Sequence, residues 1–204
     1  MRILSIDSSL GTQVAVVDTA ETAGLPVTCP VQVLSRAEQA DTRRHAESLG
    51  QMLSEALSAS GVADRPLDAV VAATGPAPFT GLRAGLVTAR VVGRTRGIPV
   101  HGVSSLDAGL TLDELGARQG EKDPVVLVAT DARRREVYAA LFRANGPDDV
   151  TRLTEISVCP PAQVTECIAV QTPKQGSGAV TIDAVAGSGA ALYPELMGTA
   201  SCHE

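Results

Sequence analysis

The chain has almost no aromatic side chains and almost no lysine. Tryptophan is absent, and Phe79, Tyr138, Phe142 and Tyr193 are the only aromatic residues among 204. Stacking platforms for single-stranded nucleic acid are therefore nearly missing. A formal net charge of −6 argues further against this chain gripping a phosphate backbone by itself. Lys122 and Lys174 are the only lysines, and neither sits in a Walker loop. The four cysteines, Cys29, Cys159, Cys167 and Cys202, lie far apart without a CxxC pair, which predicts neither a zinc site nor a disulfide framework. Met1 leads straight into the strand-like RILSID, so no secretory signal is expected. No apolar run approaches the length of a bilayer span, and a cytoplasmic protein without membrane contact is the expectation.

What is present is an aliphatic α/β pattern. Ile3 to Asp7 and Gln13 to Asp18 read as two strands around the polar turn Asp7-Ser8-Ser9-Leu10-Gly11-Thr12, a hairpin with a carboxylate at its mouth. Residues 19–30 read as an irregular excursion and Val31 to Leu34 as a strand, possible at an edge. Asp41 or Thr42 to Ala59 has helical periodicity, with Ala46, Leu49, Leu53, Ala56 and Leu57 on one arc and Met52 and His45 at its margin. Ser60-Gly61 stops it. His45 invites a ligand role, but a helical metal pair needs a second histidine three or four residues on, where Ser48 and Leu49 stand.

The stretch from Leu67 to Leu106 is the most informative. Asp68 to Ala73 is an unalternating apolar strand, Pro76 and Pro78 forbid continuation, and Thr80 is placed to cap a helix over Gly81 to Arg96. That helix has two apolar sides, Leu82, Leu86, Ala89 and Gly93 on one and Ala84, Val87 and Val91 on the other. Arg83, Arg90 and Arg94 lie between them. Gly81, Gly85, Thr88 and Val92 form an arc of small residues that admits another backbone. Two apolar sides need two covers. One is the helix's own sheet, and the second is either another helix of the same domain or a partner.

Ile98 to Val103 follows as a strand, with a helix entry at Ser104-Ser105-Leu106-Asp107. Val125 to Thr130 is an aliphatic strand, Asp131-Ala132-Arg133-Arg134-Arg135 a turn, and Glu136 to Arg143 a strand. Strand, acidic turn, strand thus occurs twice. The last quarter reads as a short strand and helix in Val158 to Ile168, a strand in Val180 to Val185 and a short helix from Ala186 to Leu196. Asp7, Ser8, Ser9 and Gly11, and Asp131 in the second turn, could hold a phosphate or metal, or could simply bond their own backbones.

The string Gly75-Pro76-Ala77-Pro78-Phe79-Thr80-Gly81-Leu82-Arg83 closely resembles the TsaB (YeaZ) family. So do Asp7-Ser8-Ser9 before it, Gly102-Val103-Ser104-Ser105-Leu106 after it, and Asp131 to Tyr138 beyond. The likeness runs collinearly from Met1 to about Arg143, and the arginine-rich, lysine-poor composition resembles proteins of high-GC bacteria. Two departures are the Ala77-Pro78 pair, where the family usually has Gly-Ser, and the short end of the chain.

The resemblance implies an α/β fold of the actin, Hsp70 and sugar-kinase (ASKHA) superfamily, with related subdomains over residues 1–105 and 106–204, the second abbreviated. It implies a non-catalytic subunit that activates TsaD, the enzyme forming N6-threonylcarbamoyladenosine beside the anticodon of tRNA. TsaE would be a further partner, tRNA would be reached only through the complex, and the chain alone would form a homodimer. No cofactor, metal or catalytic residue is expected. The expected interface comprises His45, Leu49, Met52, Leu53 and Ala56 of one helix and Gly81, Leu82, Gly85, Leu86 and Ala89 of the other. Asp7, Ser8, Ser9, Gly11, Arg83 and Asp131 are expected as remnants of a nucleotide or phosphate site. Glycine-rich phosphate loops need successive backbone N–H groups free to close on the anion, and Asp131 to Glu136 has no glycine. The competing expectations are an ATP-dependent enzyme using Asp7 and Asp131 and, more weakly, a peptidase.

Overall fold

A computed structural model of the chain describes residues 1–19, 31–40, 45–59, 61–107, 124–145, 150–169 and 181–199. They form two compact units, Met1–Ser105 and Leu106–Glu204, and each has its own core.

In the first unit β1 (Arg2–Asp7), β2 (Thr12–Thr19), β3 (Val31–Gln39), β4 (Ala69–Ala73) and β5 (Val100–Val103) form a sheet in the order β3-β2-β1-β4-β5. β1, β2 and β3 pair antiparallel, and β4 and β5 add parallel strands. Strand alternation puts Leu4, Ile6, Val14, Val16, Val70 and Ala72 on one face, where α1 (His45–Ser58) and α2 (Phe79–Arg96) cover them. β3 runs five residues beyond the predicted Leu34 because its pairing with β2 continues to Thr12↔Gln39, through an irregularity at Val16/Val17. Of the predicted excursion at 19–30, Thr19 instead ends β2, paired with Val31, and the remainder, like the start of α1 before His45, lies outside the described residues.

α2 begins two residues earlier than predicted. Pro78 (φ −55, ψ 128), rather than Thr80, is the residue before the first turn, and no side chain caps it. The helix ends at Gly97, whose φ of 66 is left-handed and whose N–H donates to the Gly93 carbonyl, as a glycine stop should.

In the second unit β6 (Val125–Arg133), β7 (Glu136–Ala144), β8 (Val150–Arg152) and β10 (Ala184–Ala186) form the order β10-β6-β7-β8, and β9 (Ser157–Cys159) also pairs with β7. β6 is buried from Val125 through Thr130. One apolar cluster around Leu127, Ala129 and Leu141 covers one face of this sheet, and another around Val126, Val128 and Phe142 covers the other. This explains the unalternating run. α3 (Val164–Ala169) and α4 (Ser188–Leu192) are its short helices. Most of the helix entered at Ser104 lies outside the described residues.

The two units repeat one plan in detail. β1 pairs antiparallel with β2 and parallel with β4, as β6 does with β7 and β10. Asp68, just before β4, accepts the Arg2 N–H at 2.6 Å and returns its own N–H to the Arg2 carbonyl at 2.8 Å. Asp183, just before β10, does the same for Val125 at 2.7 and 2.8 Å. Gly75 (φ 90) and Gly187 (φ 92) follow β4 and β10 in matching left-handed conformations.

Candidate functional site

The candidate surface lies on α2. Its buried side is built from Gly81, Gly85, Ala89, Val92 and Gly93. A Cβ on Gly85 would strike the Ser8 side chain, and one on Gly93 would strike Val100. The helix therefore approaches the sheet more closely than a leucine-faced helix could. Ser8 exploits this, donating its hydroxyl to the Gly81 carbonyl at 2.8 Å. The arc of small residues thus admits the chain's own sheet, and not a foreign backbone.

The opposite side of α2 faces outward. Phe79, Val87 and Val91 are 72, 56 and 54% exposed, and Arg83, Arg90 and Arg94 are exposed among them. The Arg83 guanidinium lies over the Phe79 ring, 5.0 Å from its centroid, a cation–π contact. α2 contains no carboxylate, so this face is apolar and basic together. Beside it a cavity of about 570 Å³ opens between α2 and the β4–β5 edge, lined by Ala72, Thr74, Arg83, Leu86, Val87, Ala89, Arg90, Val100, His101 and Gly102.

These positions correct much of the expected interface. Leu49, Met52, Ala56 and Ala89 are 2, 7, 3 and 0% exposed and belong to the core of the first unit, and Gly81 and Gly85 are buried as well. The single apolar arc of α1 is taken up by β2 and β3, with Ser35 donating to the Ala56 carbonyl at 2.9 Å. Leu53 and Leu86 are half-buried against the same core, and Leu82 is half-buried. The side chain of His45 lies outside the described residues. Phe79, the residue that opens the outward face, went unselected in the sequence. The signal for the face was the second apolar row, Val87 and Val91.

The expected phosphate remnants serve their own turns. Asp7 accepts the Ser9 N–H at 2.7 Å, and the Ser8 hydroxyl is committed to Gly81. Gly11 (φ +131) is required because a Cβ there would sit 2.8 Å from the Gln39 carbonyl oxygen. In the second unit Asp131 repeats the arrangement, accepting the Arg133 N–H at 3.1 Å and the Tyr193 hydroxyl at 3.3 Å. Burial, reinforced by the Asp131 carboxylate, pushes the Tyr193 hydroxyl above its ordinary range. Arg83 lies on the wall of the cavity beside α2. Among the described residues no three His, Cys, Asp or Glu side chains are grouped to hold a metal ion.

A family model described as TsaD, tRNA N6-adenosine threonylcarbamoyltransferase, matches residues 32–193. The chain belongs to this family. An uncharacterized protein of Mycobacterium tuberculosis is 43% identical over 134 residues, covering 63% of this chain and 58% of its own length. A tRNA N6-adenosine threonylcarbamoyltransferase of Rhizobium meliloti is 33% identical over 117 residues, covering 52% of this chain and 32% of its own length. The chain thus spans little more than half the length of its mycobacterial relative. YeaZ from Pseudomonas aeruginosa superposes with a TM-score of 0.61 at 22% identity, over 90% of this chain and 74% of that one. A further Pseudomonas aeruginosa protein, described as similar to peptidase YEAZ, gives 0.64 at 24% identity, over 96 and 79%. The fold of the TsaD-type chain is therefore that of YeaZ. With the ordered motifs from Asp7 to Tyr138, these findings support assignment to the TsaB (YeaZ) branch, with a mixed α/β fold of two sheets.

Proposed function

We propose that this chain is a non-catalytic subunit that activates a TsaD-type threonylcarbamoyltransferase by docking the outward face of α2 on it. The observation that carries this reading is the row Phe79, Val87 and Val91, exposed on a helix whose other side is fully used by its own sheet. Large apolar side chains grouped on one exposed helix face mark a contact surface. Arg83, Arg90 and Arg94 lie in the same face, so a partner with apolar residues ringed by carboxylates fits it best. Two copies of this chain would bring like charges together, which makes a homodimer the weaker assembly and one that salt strengthens. TsaE completes the system, and tRNA is reached through the complex.

Catalysis is assigned to the partner. A metal-binding helix of the TsaD kind would need a histidine where Leu49 packs in the core. The competing reading as an ATP-dependent enzyme rests on the matching Asp7 and Asp131 turns, whose carboxylates already accept hydrogen bonds from their own turns. Threonylcarbamoylation of tRNA by TsaD and TsaE, supplied with the carbamoyl-adenylate and assayed with and without this chain, tests the proposal. Modification that depends on the chain is expected, and equal modification without it would remove the activator role. Calorimetry with ATP and Mg²⁺ on the isolated chain separates the alternatives, since tight binding lost in Asp7→Ala would favour the enzyme.

A further inference from the structure

We infer that the groove between α2 and the free edge of β5 binds an extended acidic peptide segment, with apolar and carboxylate side chains on one face, that adds to the sheet as a further strand. α2 crosses this sheet obliquely. A Cβ on Gly85 would meet Ser8 and Ile6 at the end of β1, and one on Gly93 would meet Val100 at the start of β5. The later part of β5 lies beyond the helix, and the cavity of about 570 Å³ opens there. Gly102 keeps its floor low, because a Cβ at that position would strike Thr74. Binding clefts occupy roughly 300–1,000 Å³, so the cavity is large enough to receive side chains of a ligand.

The strand edge supplies the backbone partners. β5 is the last strand of the order β3-β2-β1-β4-β5, and among the described residues no strand pairs with its outer side. The Pro99 and Val103 carbonyls accept the N–H groups of Val70 and Thr74 at 2.9 and 2.8 Å. Alternate residues of a parallel strand serve opposite edges, so Val100 and Gly102 turn their N–H and carbonyl groups outward. Both residues also line the cavity. Val100 and Val103 are 39 and 40% exposed, and β5 has neither the lysine nor the proline that commonly blunts an open edge. A segment hydrogen-bonded to Val100 and Gly102 sends every second side chain over the cavity, towards Leu86 and the helix wall. Arg83 and Arg90 stand on that wall, and among the described residues neither has a carboxylate partner. Carboxylates on the segment complement the two guanidinium groups, whereas basic side chains are repelled. The sheet edge is a different surface from the outward row of Phe79 and Val91, and the inference does not require the occupant to be a TsaD-type enzyme.

Fluorescence anisotropy on the full chain provides the test, with a labelled octapeptide that repeats valine, serine, aspartate, serine. Saturable binding is expected, and the same peptide with lysine in place of aspartate should bind at least about tenfold more weakly. Two forms N-methylated at alternate amides, one form for each edge of the peptide strand, should differ sharply. Methyl groups on the edge that meets β5 should abolish binding, and those on the other edge should leave it. Arg83→Glu combined with Arg90→Glu, both at exposed positions, should reverse the preference to the lysine peptide. Should that variant fail to fold, the N-methylated pair decides the matter on the parent chain. Absence of binding, equal affinity for the two N-methylated forms, or equal affinity for the acidic and basic peptides would overturn the inference. So would a dimer in sedimentation velocity that excludes the peptide, because a second copy of the chain would then hold the edge.

Discussion

Gly85 of α2 rests directly against the Ser8 side chain, whose hydroxyl donates to the carbonyl of Gly81 one turn earlier. A Cβ at position 85 would force the helix off the sheet or break that hydrogen bond. Gly85→Ala should therefore destabilise the first unit by about 1–3 kcal/mol, although alanine is the better helix former by ~1 kcal/mol. Ser8→Ala combined with Gly85→Ala should recover part of the loss, because the hydroxyl oxygen is the atom in the way. Strict additivity in a double-mutant cycle by chemical denaturation would show that the two residues do not meet.

Val87 and Val91 are more than half exposed, so Val87→Glu and Val91→Glu should change stability by no more than about 0.5 kcal/mol while abolishing co-purification with a TsaD-type partner. Leu86→Glu and Leu53→Glu are the contrasting pair. Both leucines pack partly against the core, and a glutamate there should cost several kcal/mol, on the order of what burying an unpaired polar group requires. Thermal melts and co-purification measured together separate the two classes. Retained binding in the double Val87→Glu, Val91→Glu variant would mean that α2 is not the docking face.

The architecture was largely legible because it is written in local patterns. The unalternating apolar runs at Asp68–Ala73 and Val125–Thr130 read directly as strands, and the order strand, acidic turn, strand was visible twice. The orientation of α2 was not. Two apolar rows and an arc of small residues satisfy periodicity equally well whichever of them meets the sheet. Only the distance between α2 and β1, set by Ser8 and Ile6 against Gly85, decides for the small arc. α1 failed for the opposite reason, since its one apolar arc cannot serve both a core and a partner, and β3 extends far enough to claim it.

The turn between β6 and β7 places three consecutive arginines, Arg133, Arg134 and Arg135, at φ values of 68, 53 and 62. Left-handed backbone costs a residue with a Cβ roughly 1 kcal/mol or more, and tight hairpins of this hand prefer Asn-Gly at the two central positions. Replacing Arg134-Arg135 by Asn-Gly should raise the stability of the second unit by about 1 kcal/mol, read as a shift in denaturant midpoint with an unchanged slope. A loss of stability would indicate that the arginine side chains make contacts outweighing the backbone strain.

Acid should weaken the first unit through Asp18 and Asp64. Arg2 is buried at the head of β1, 2.7 Å from Asp64 and 3.4 Å from Asp18, and Arg65 lies 2.9 Å from Asp18. The hydrogen bond from Arg2 holds the Asp64 carboxyl below the usual carboxylate range. Burial alone would raise Asp18, but Arg65 and Arg2 together bring it below that range too. Because both values are depressed in the folded state, the unfolded chain takes up protons first as the pH falls. The stabilisation is complete above the ordinary aspartate value, roughly 4, and is lost as the pH drops through the lower folded values. Asp18→Asn should lower the melting temperature at neutral pH and flatten its fall in acid. Asp64→Asn should do the same more weakly, since the Asp64 side chain is 68% exposed against 25% for Asp18. An acid limb that is as steep in both variants as in the parent would place the acid sensitivity elsewhere in the chain.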